Sequence, residues 1–286
     1  MKRFKITKLI GILGIISNLF LSIIKLSVGL LFKSQAMIAD SFNSIGDVFA
    51  SFMTFIGNKI ASFESDDDHN FGHGKAEYIF SLFISISILV IAIKLLYDSI
   101  FSLVIQNKVL FSWNLIIVCF ITIIIKLSLY FYTKKCYLKE NNILIKSSMI
   151  DNRNDVFLNL SVLVSVIFSK YQIYFVDSLV GIVISIWFLL SAIKLFKESY
   201  NVLMDISLDL VTRDKIIKKI LKNKDIIDVI DIHSVSIGYK YIVVLTISVN
   251  GKLSTFKSHE IANEIETKIK ASFDNVKEVF VHIHPV

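Results

Sequence analysis

Residues 36–60 read AMIADSFNSIGDVFASFMTFIGNKI. The stretch is long enough to cross the hydrocarbon core of a bilayer, which takes about 20 apolar residues. It nevertheless contains Asp40, Asn43 and Asp47. An ionisable side chain at mid-membrane costs about 2.5 kcal/mol or more on insertion scales, so each acid there needs a partner or a task. Five further stretches have spanning length, approximately 9–32, 77–100, 113–133, 147–169 and 174–196. The fifth of the six repeats the anomaly with Asp151, Arg153 and Asp155. The fold class that follows is an all-α six-helix transmembrane domain.

Working outward, the composition agrees with lipid as a solvent. Hydrophobic residues make up 54% of the 286, above the usual 45–50% of soluble domains. The one proline is Pro285, so no proline interrupts the long runs. The net charge of +7 sits mainly in short loops beside apolar runs, which favours a membrane topology signal over nucleic-acid binding. Lys2, Arg3, Lys5 and Lys8 mark the N-terminus, and Lys134, Lys135, Lys139 and Lys146 mark the fourth connection. The alternate loops hold Lys33, Lys108 and Lys170. Positive-inside sorting therefore predicts cytoplasmic N- and C-termini in a multi-pass cell-membrane protein. The opening MKRFKITK and its apolar run imitate a signal peptide, but the run reaches about Phe32 and reads as a retained first span. Cys119 and Cys136 form no CxxC pair or disulfide framework and read as packing residues.

After Ser207 the texture changes. Residues 213–224 look helical, and 228–237 and 240–249 alternate like strands about a turn at Gly238. Residues 255–272 repeat isoleucine every four positions, and 278–284, EVFVHIH, form a last strand. The expected division is a transmembrane domain over 1–206 and a small cytoplasmic α-β-β-α-β domain of the α+β class over 207–286.

Asn43 and Asp47 are four apart, as are Asp151 and Asp155. On a helix that spacing is about one turn, some 6 Å along one face. Two such helices in contact would converge four oxygen-bearing side chains on one point. Three carboxylates do not stay ionised together in low dielectric without a cation, and a divalent metal is the natural one. Interhelical hydrogen bonding explains Asn43 equally well, but explains three carboxylates poorly. Asp40, one turn nearer the outer end, reads either as a ligand or as a residue facing the opposite aqueous side. Arg153 is expected to pair with a carboxylate or a headgroup. Lys25, Lys94 and Lys126 interrupt apolar runs, and snorkelling or pairing with acids accounts for them. A second cluster, ESDDDHNFGHGKAE at 64–77, holds Asp66, His69 and His73, all good metal ligands, in what is otherwise a solvated acidic loop.

These features together resemble the cation diffusion facilitator family of metal/proton antiporters, over nearly the full chain. The resemblance rests on IADSFNSIGDVFAS (38–51), DDDHNFGHGKAE (66–77), the Asp151–Asp155 segment and the closing VHIHP. It implies a homodimer whose cytoplasmic domain has a metallochaperone-like, ferredoxin-like fold. It implies a transport site of Asn43, Asp47, Asp151 and Asp155 and a loop metal site of Asp66, His69 and His73. It also implies a charge interlock at the dimer between Lys75 and Asp205, and cytoplasmic metal ligands at His259, His282 and His284. His233 falls outside that pattern and reads as a strand surface residue.

Zinc-transporting members resemble one another in carrying histidine in the membrane quartet, often where Asp151 stands here. None of the six histidines lies in a span. Oxygen-only ligands favour a harder ion than zinc, and Asn-x-x-x-Asp with Asp-x-x-x-Asp resembles the manganese branch. The expected function is proton-coupled Mn²⁺ efflux from the cytoplasm by alternating access, with no resident cofactor; the only ions involved are the transported metal and H⁺. Alternatives are a Zn²⁺, Co²⁺, Cd²⁺ or Fe²⁺ exporter of the same family, and a membrane metal sensor without transport. No nucleophile–base pair or zinc-protease motif marks the chain as an enzyme. The expected partners are a second copy, the bilayer and divalent metals, with no nucleic acid.

Overall fold

The computed structural model describes residues 2–31, 35–105, 113–169 and 175–286. The chain divides into two compact units. One comprises 1–63 and 76–199, and the other 64–75 and 200–286.

Six long helices appear in order: α1 Lys2–Leu31, α2 Gln35–Ala61, α3 Ala76–Ile105, α4 Trp113–Glu140, α5 Ile143–Ser169 and α6 Phe175–Leu203. Each has 27–30 residues, or about 40 Å at 1.5 Å per residue, enough to pass through a bilayer core. Among the described residues, three of them contain stretches apolar enough to cross a membrane by composition, at Arg3–Val28, Ala76–Val104 and Ile116–Glu140. α2 and α5 are the helices interrupted by the acids.

The helices alternate in direction. Glu77, at the start of α3, accepts hydrogen bonds from Arg3 at the start of α1 (2.5 Å) and from Asn142 before α5 (2.9 Å). Asn58 near the end of α2 donates to the Phe4 carbonyl, and Lys146 early in α5 pairs with Glu198 late in α6. So α1, α3 and α5 begin, and α2, α4 and α6 end, at one end of the bundle. The α4–α5 corner follows from two asparagines. Asn141 adopts φ 43°, and the Asn142 side chain caps α5 by accepting from the Leu144 and Ile145 amides. α1 lies along α2 because Gly14 leaves room there. A Cβ at Gly14 would come within 2.5 Å of Ser51 Oγ.

The bundle is apolar outside and polar inside. Phe20, Phe83, Val90, Phe120, Ile124, Val183 and Leu190 are exposed, whereas Asn18, Lys25, Ser44, Asp47, Thr54, Lys126 and Asp155 are buried. Water would reverse that distribution, but lipid accommodates it. Cys119 and Cys136 are buried and are not joined in a disulfide.

The second unit contains α7 Leu210–Ile220, β1 Ile226–Ser236, β2 Tyr241–Val249, α8 Thr255–Ser272 and β3 Val276–Pro285. β2 is central, antiparallel to β1 and parallel to β3. The parallel pair needs a crossover, which α8 supplies. Val243, Leu245, Ile247 and Val249 of β2 form one core with Ile261, Ile265 and Ile269 of α8 and Ile216 and Ile220 of α7. α7 starts three residues earlier than its apolar pattern predicts, because Asp209 caps it by accepting from the Thr212 amide at 2.9 Å. Bonds from Thr212 hold the Asp209 carboxyl below its ordinary range.

Segment 64–75 connects α2 to α3, yet it packs with this second unit. Gly238, at the β1–β2 turn, has φ 86°, and a Cβ there would sit 2.8 Å from the carbonyl of Gly74. Lys277 of β3 donates to the Phe71 carbonyl at 3.1 Å. Gly238→Val would combine a left-handed backbone, costing a side chain about 1–2 kcal/mol, with a collision against Gly74. We expect a lowered Tm for the full-length protein and faster proteolysis within 64–75; an unchanged Tm and cleavage pattern would contradict this packing.

Candidate metal centre

α2 and α5 pack together, and their acids meet inside the bundle. Asp47, Asp151 and Asp155 each offer a carboxylate oxygen, and these atoms all lie within 4.8 Å of one another. Asp47 is 4% exposed and Asp155 6%, while Asp151 is half-buried. The four-residue spacing on α5 puts Asp151 and Asp155 on one face, and Asp47 completes the triangle from α2. Hydroxyl pairs hold the helices together, with Thr54 Oγ1 3.1 Å from Ser148 Oγ and Ser81 Oγ 2.8 Å from Ser147 Oγ. The α2 backbone carries Asn43 one turn before Asp47. The side chains of Asn43 and Asp40 lie outside the described residues.

A fourth charged group enters from α4. Lys126 Nζ donates to Asp47 Oδ2 at 3.1 Å and to Asp155 Oδ2. Its side chain is 1% exposed. Of the two readings open to this lysine, the structure selects pairing with acids. Lys25 is also buried, 3.1 Å from Ser44 Oγ, and Lys94 is exposed. The signal for Lys126 was its depth. It stands midway along α4 in ITIIIKLSLY, too far from either end to snorkel.

For Arg153 the carboxylate, one of its two expected partners, is not the one found. Among the described residues it meets no carboxylate. Its guanidinium donates to Ser191 Oγ at 2.9 Å and lies 4.7 Å from the Trp187 ring centroid. The cause is helical phase: two residues beyond Asp151, Arg153 points to nearly the opposite side of α5.

A narrow cleft, with about 10 Å³ open to a water-sized molecule, adjoins the acids, lined by Gly14, Ser51, Thr54, Leu129, Thr133, Ser148, Asp151 and Asn152 among others. Ser51 and Thr54 lie after Asp47 on α2, Ser148 lies before Asp151 on α5, and Thr133 lies after Lys126 on α4. Since the helices alternate, all of these are displaced toward one end, the one bearing Arg3, Lys5, Lys8, Lys59, Lys134, Lys135, Lys139 and Lys146.

The second cluster is in segment 64–75. Asp66, His69 and His73 also offer ligand atoms within 4.8 Å of one another. Asp66 Oδ1 accepts from the His69 amide at 2.6 Å, and Asp66 Oδ2 lies 3.5 Å from His73 Nε2. The amide bond, chiefly, holds the Asp66 carboxyl below its ordinary range. It is therefore ionised near neutral pH and available to a cation. Gly72, with φ 80°, closes the turn by donating to the His69 carbonyl at 2.8 Å.

Lys75 donates to Asp205 Oδ1 at 2.7 Å. Asp205 has φ 56° and ends α6, with its amide on Val202 and the Ile206 amide on Asn201. Glycine usually fills such a left-handed cap. Here the carboxylate is held by Lys75.

His259, His282 and His284 are not brought together within one chain. Val279, Val281 and Ile283 of β3 face α8 and the core, so His282 and His284 alternate onto the other face of the sheet. His259 belongs to α8, in the layer on the core side. His233 is exposed and 2.7 Å from Asp231 Oδ2.

Comparison with known proteins agrees with this architecture. A model of the cation efflux transmembrane domain matches residues 11–204, and a model of the cation efflux protein cytoplasmic domain matches residues 208–286. The manganese efflux system protein MneS of Bacillus subtilis (strain 168) is 28% identical over 280 residues, covering 96% of this chain and 94% of the relative. The manganese efflux system protein MneP of the same organism is 27% identical over 293 residues, covering 99% and 98%. The cation-efflux pump FieF of Shewanella oneidensis is 28% identical over 281 residues, covering 98% and 94%. With both halves matched in sequence order, the chain belongs to the cation efflux, or cation diffusion facilitator, family of membrane transporters.

Proposed function

We propose that this protein exports Mn²⁺ from the cytoplasm in exchange for protons, by alternating access through six transmembrane spans. The observation that carries the reading is the buried triangle of Asp47, Asp151 and Asp155, which contains carboxylate oxygens and no imidazole. Asn43 would add a carbonyl oxygen one turn away on α2. Imidazole and thiolate give zinc its advantage over manganese, and an all-oxygen set removes much of it. Magnesium also takes oxygen ligands but dehydrates reluctantly. Two relatives named for manganese efflux support the same choice.

In the proposed cycle, metal enters through the cleft at the basic end of the bundle, which positive-inside sorting assigns to the cytoplasm together with both termini. The carboxylates bind it as they lose protons. After the helices rock outward, external protons enter the acids, reduce their charge and release the ion. Two copies would form a homodimer, with Lys75 and Asp205 as a charge interlock near the dimer. The loop ligands Asp66, His69 and His73 would form an accessory metal site, and His259, His282 and His284 would join one only through rearrangement or a second copy.

The test is flux in proteoliposomes under an imposed pH gradient, with Mn²⁺, Zn²⁺, Fe²⁺ and Cd²⁺ in competition. Mn²⁺ should move fastest and should stop when the gradient is collapsed. Preference for Zn²⁺ or Cd²⁺ would replace the ion assignment, and binding without flux would favour a sensor.

A further inference from the structure

A lysine at the centre of a cation site is not accounted for by ligand chemistry. Lys126 Nζ bonds one oxygen from each helix, Asp47 Oδ2 and Asp155 Oδ2, in the triangle whose ligand atoms lie within 4.8 Å of one another. A divalent ion held by those same two oxygens would lie almost on top of the ammonium. Two like charges at that separation in a buried site repel strongly, so the two cannot share the position. Without the ammonium, three buried carboxylates would repel one another in the metal-free protein. The lysine's own face of α4 also borders the narrow cleft. Leu129 and Thr133 line the cleft beside Asp151 and lie three and seven residues beyond Lys126, on its own face of α4. Lysine suits the task because its ammonium is a compact charge on a flexible four-carbon stem.

We propose that Lys126 is a tethered counter-cation, which occupies the metal position between Asp47 and Asp155 in the metal-free site and is displaced when a divalent ion loads. The proposal rests on the reading of Asp47, Asp151 and Asp155 as the transport ligands. Metal and ammonium then compete for the same oxygens. The competition lowers affinity and, by returning the lysine to the acids, assists release. After release, the lysine shares with the incoming protons the balancing of the acids' charge.

The test measures Mn²⁺ binding and Mn²⁺ flux with wild-type protein, Lys126→Met, Lys126→Arg and Asp155→Asn. Lys126→Met removes the competitor, so Mn²⁺ should bind at least about 10-fold more tightly, with KM and kcat both reduced. Lys126→Arg keeps the charge and should keep an affinity near wild type. A lysine with only a structural role predicts weaker or unchanged binding in Lys126→Met, and that result overturns the proposal. Should Lys126→Met not fold, the structure of the wild-type protein with Mn²⁺ decides: Nζ must have left Asp155, and an unmoved Nζ beside bound metal overturns the proposal. Wild-type Mn²⁺ affinity in Asp155→Asn would instead overturn the underlying site, whatever Lys126 does.

Discussion

Asp155→Asn should reduce Mn²⁺ flux in proteoliposomes by at least about 100-fold while leaving the protein folded and its oligomeric state unchanged. Altering even a partner one shell out from a metal typically costs 10–100-fold, and Asp155 is placed to touch the ion itself. Asparagine keeps the volume and one carbonyl oxygen, so the side chain still accepts from Lys126. Alanine is the harsher change. It would leave Lys126 with only Asp47 in a buried setting, and removing one partner of a buried ion pair costs about 3–5 kcal/mol. Loss of flux in Asp155→Ala alone could therefore reflect unfolding. Loss in Asp155→Asn, with an unaltered size-exclusion profile and helix content, isolates the charge. Undiminished flux would remove Asp155 from the transport site. Asp47→Asn should behave in the same way, since Asp47 faces the same ammonium at 3.1 Å.

How much of this was legible in advance depends on whether a feature is local. The two i, i+4 pairs could be read because four residues make about one helical turn, but that α2 and α5 face each other had to be assumed from the need to partner the acids. The α-β-β-α-β order of the second unit followed from alternation, from isoleucines every four residues and from Gly238. Features set by helix phase against a third element were not readable. The depth of Lys126 in α4 argues against snorkelling, but which acids it meets depends on where α4 lies relative to α2 and α5, which no spacing within α4 encodes. For Arg153 the sequence leaves a carboxylate and a headgroup both open, and the helix turns it toward Ser191 and Trp187. Segment 64–75 joins α2 to α3 in sequence order, yet Gly74, Lys75 and Phe71 bind it to residues more than 120 positions later. The histidines at 259, 282 and 284 belong together by resemblance alone; within a chain, β3 carries His282 and His284 on one face of the sheet while His259 lies in the α8 layer on the other.

Asp151→His should raise zinc flux relative to manganese by at least about 10-fold. Asp151 is the acid best suited to the exchange. It is half-buried at the cleft, and no hydrogen bond to its side chain is found among the described residues. Asp47 and Asp155 both hold Lys126, and a histidine at either would free that ammonium as well as change the ligand. At 151 the substitution adds an imidazole and removes a negative charge, leaving the Lys126 contacts in place. Zinc gains a favoured nitrogen ligand in a set that tetrahedral coordination can satisfy. Manganese loses an anionic oxygen and gains a ligand for which it has lower affinity. A 10-fold change in ratio corresponds to about 1.4 kcal/mol, small against the difference that one ligand makes. The measurement is competitive uptake of both ions into the same vesicles at equal concentrations, so that protein content and orientation cancel in the ratio. If the ratio stays at the wild-type value while both ions still move, ligand chemistry at this triangle does not set selectivity. The preference for manganese would then have to arise elsewhere on the path, in the cleft toward Thr133 and Ser148 or at Asn43 on the far side of Asp47.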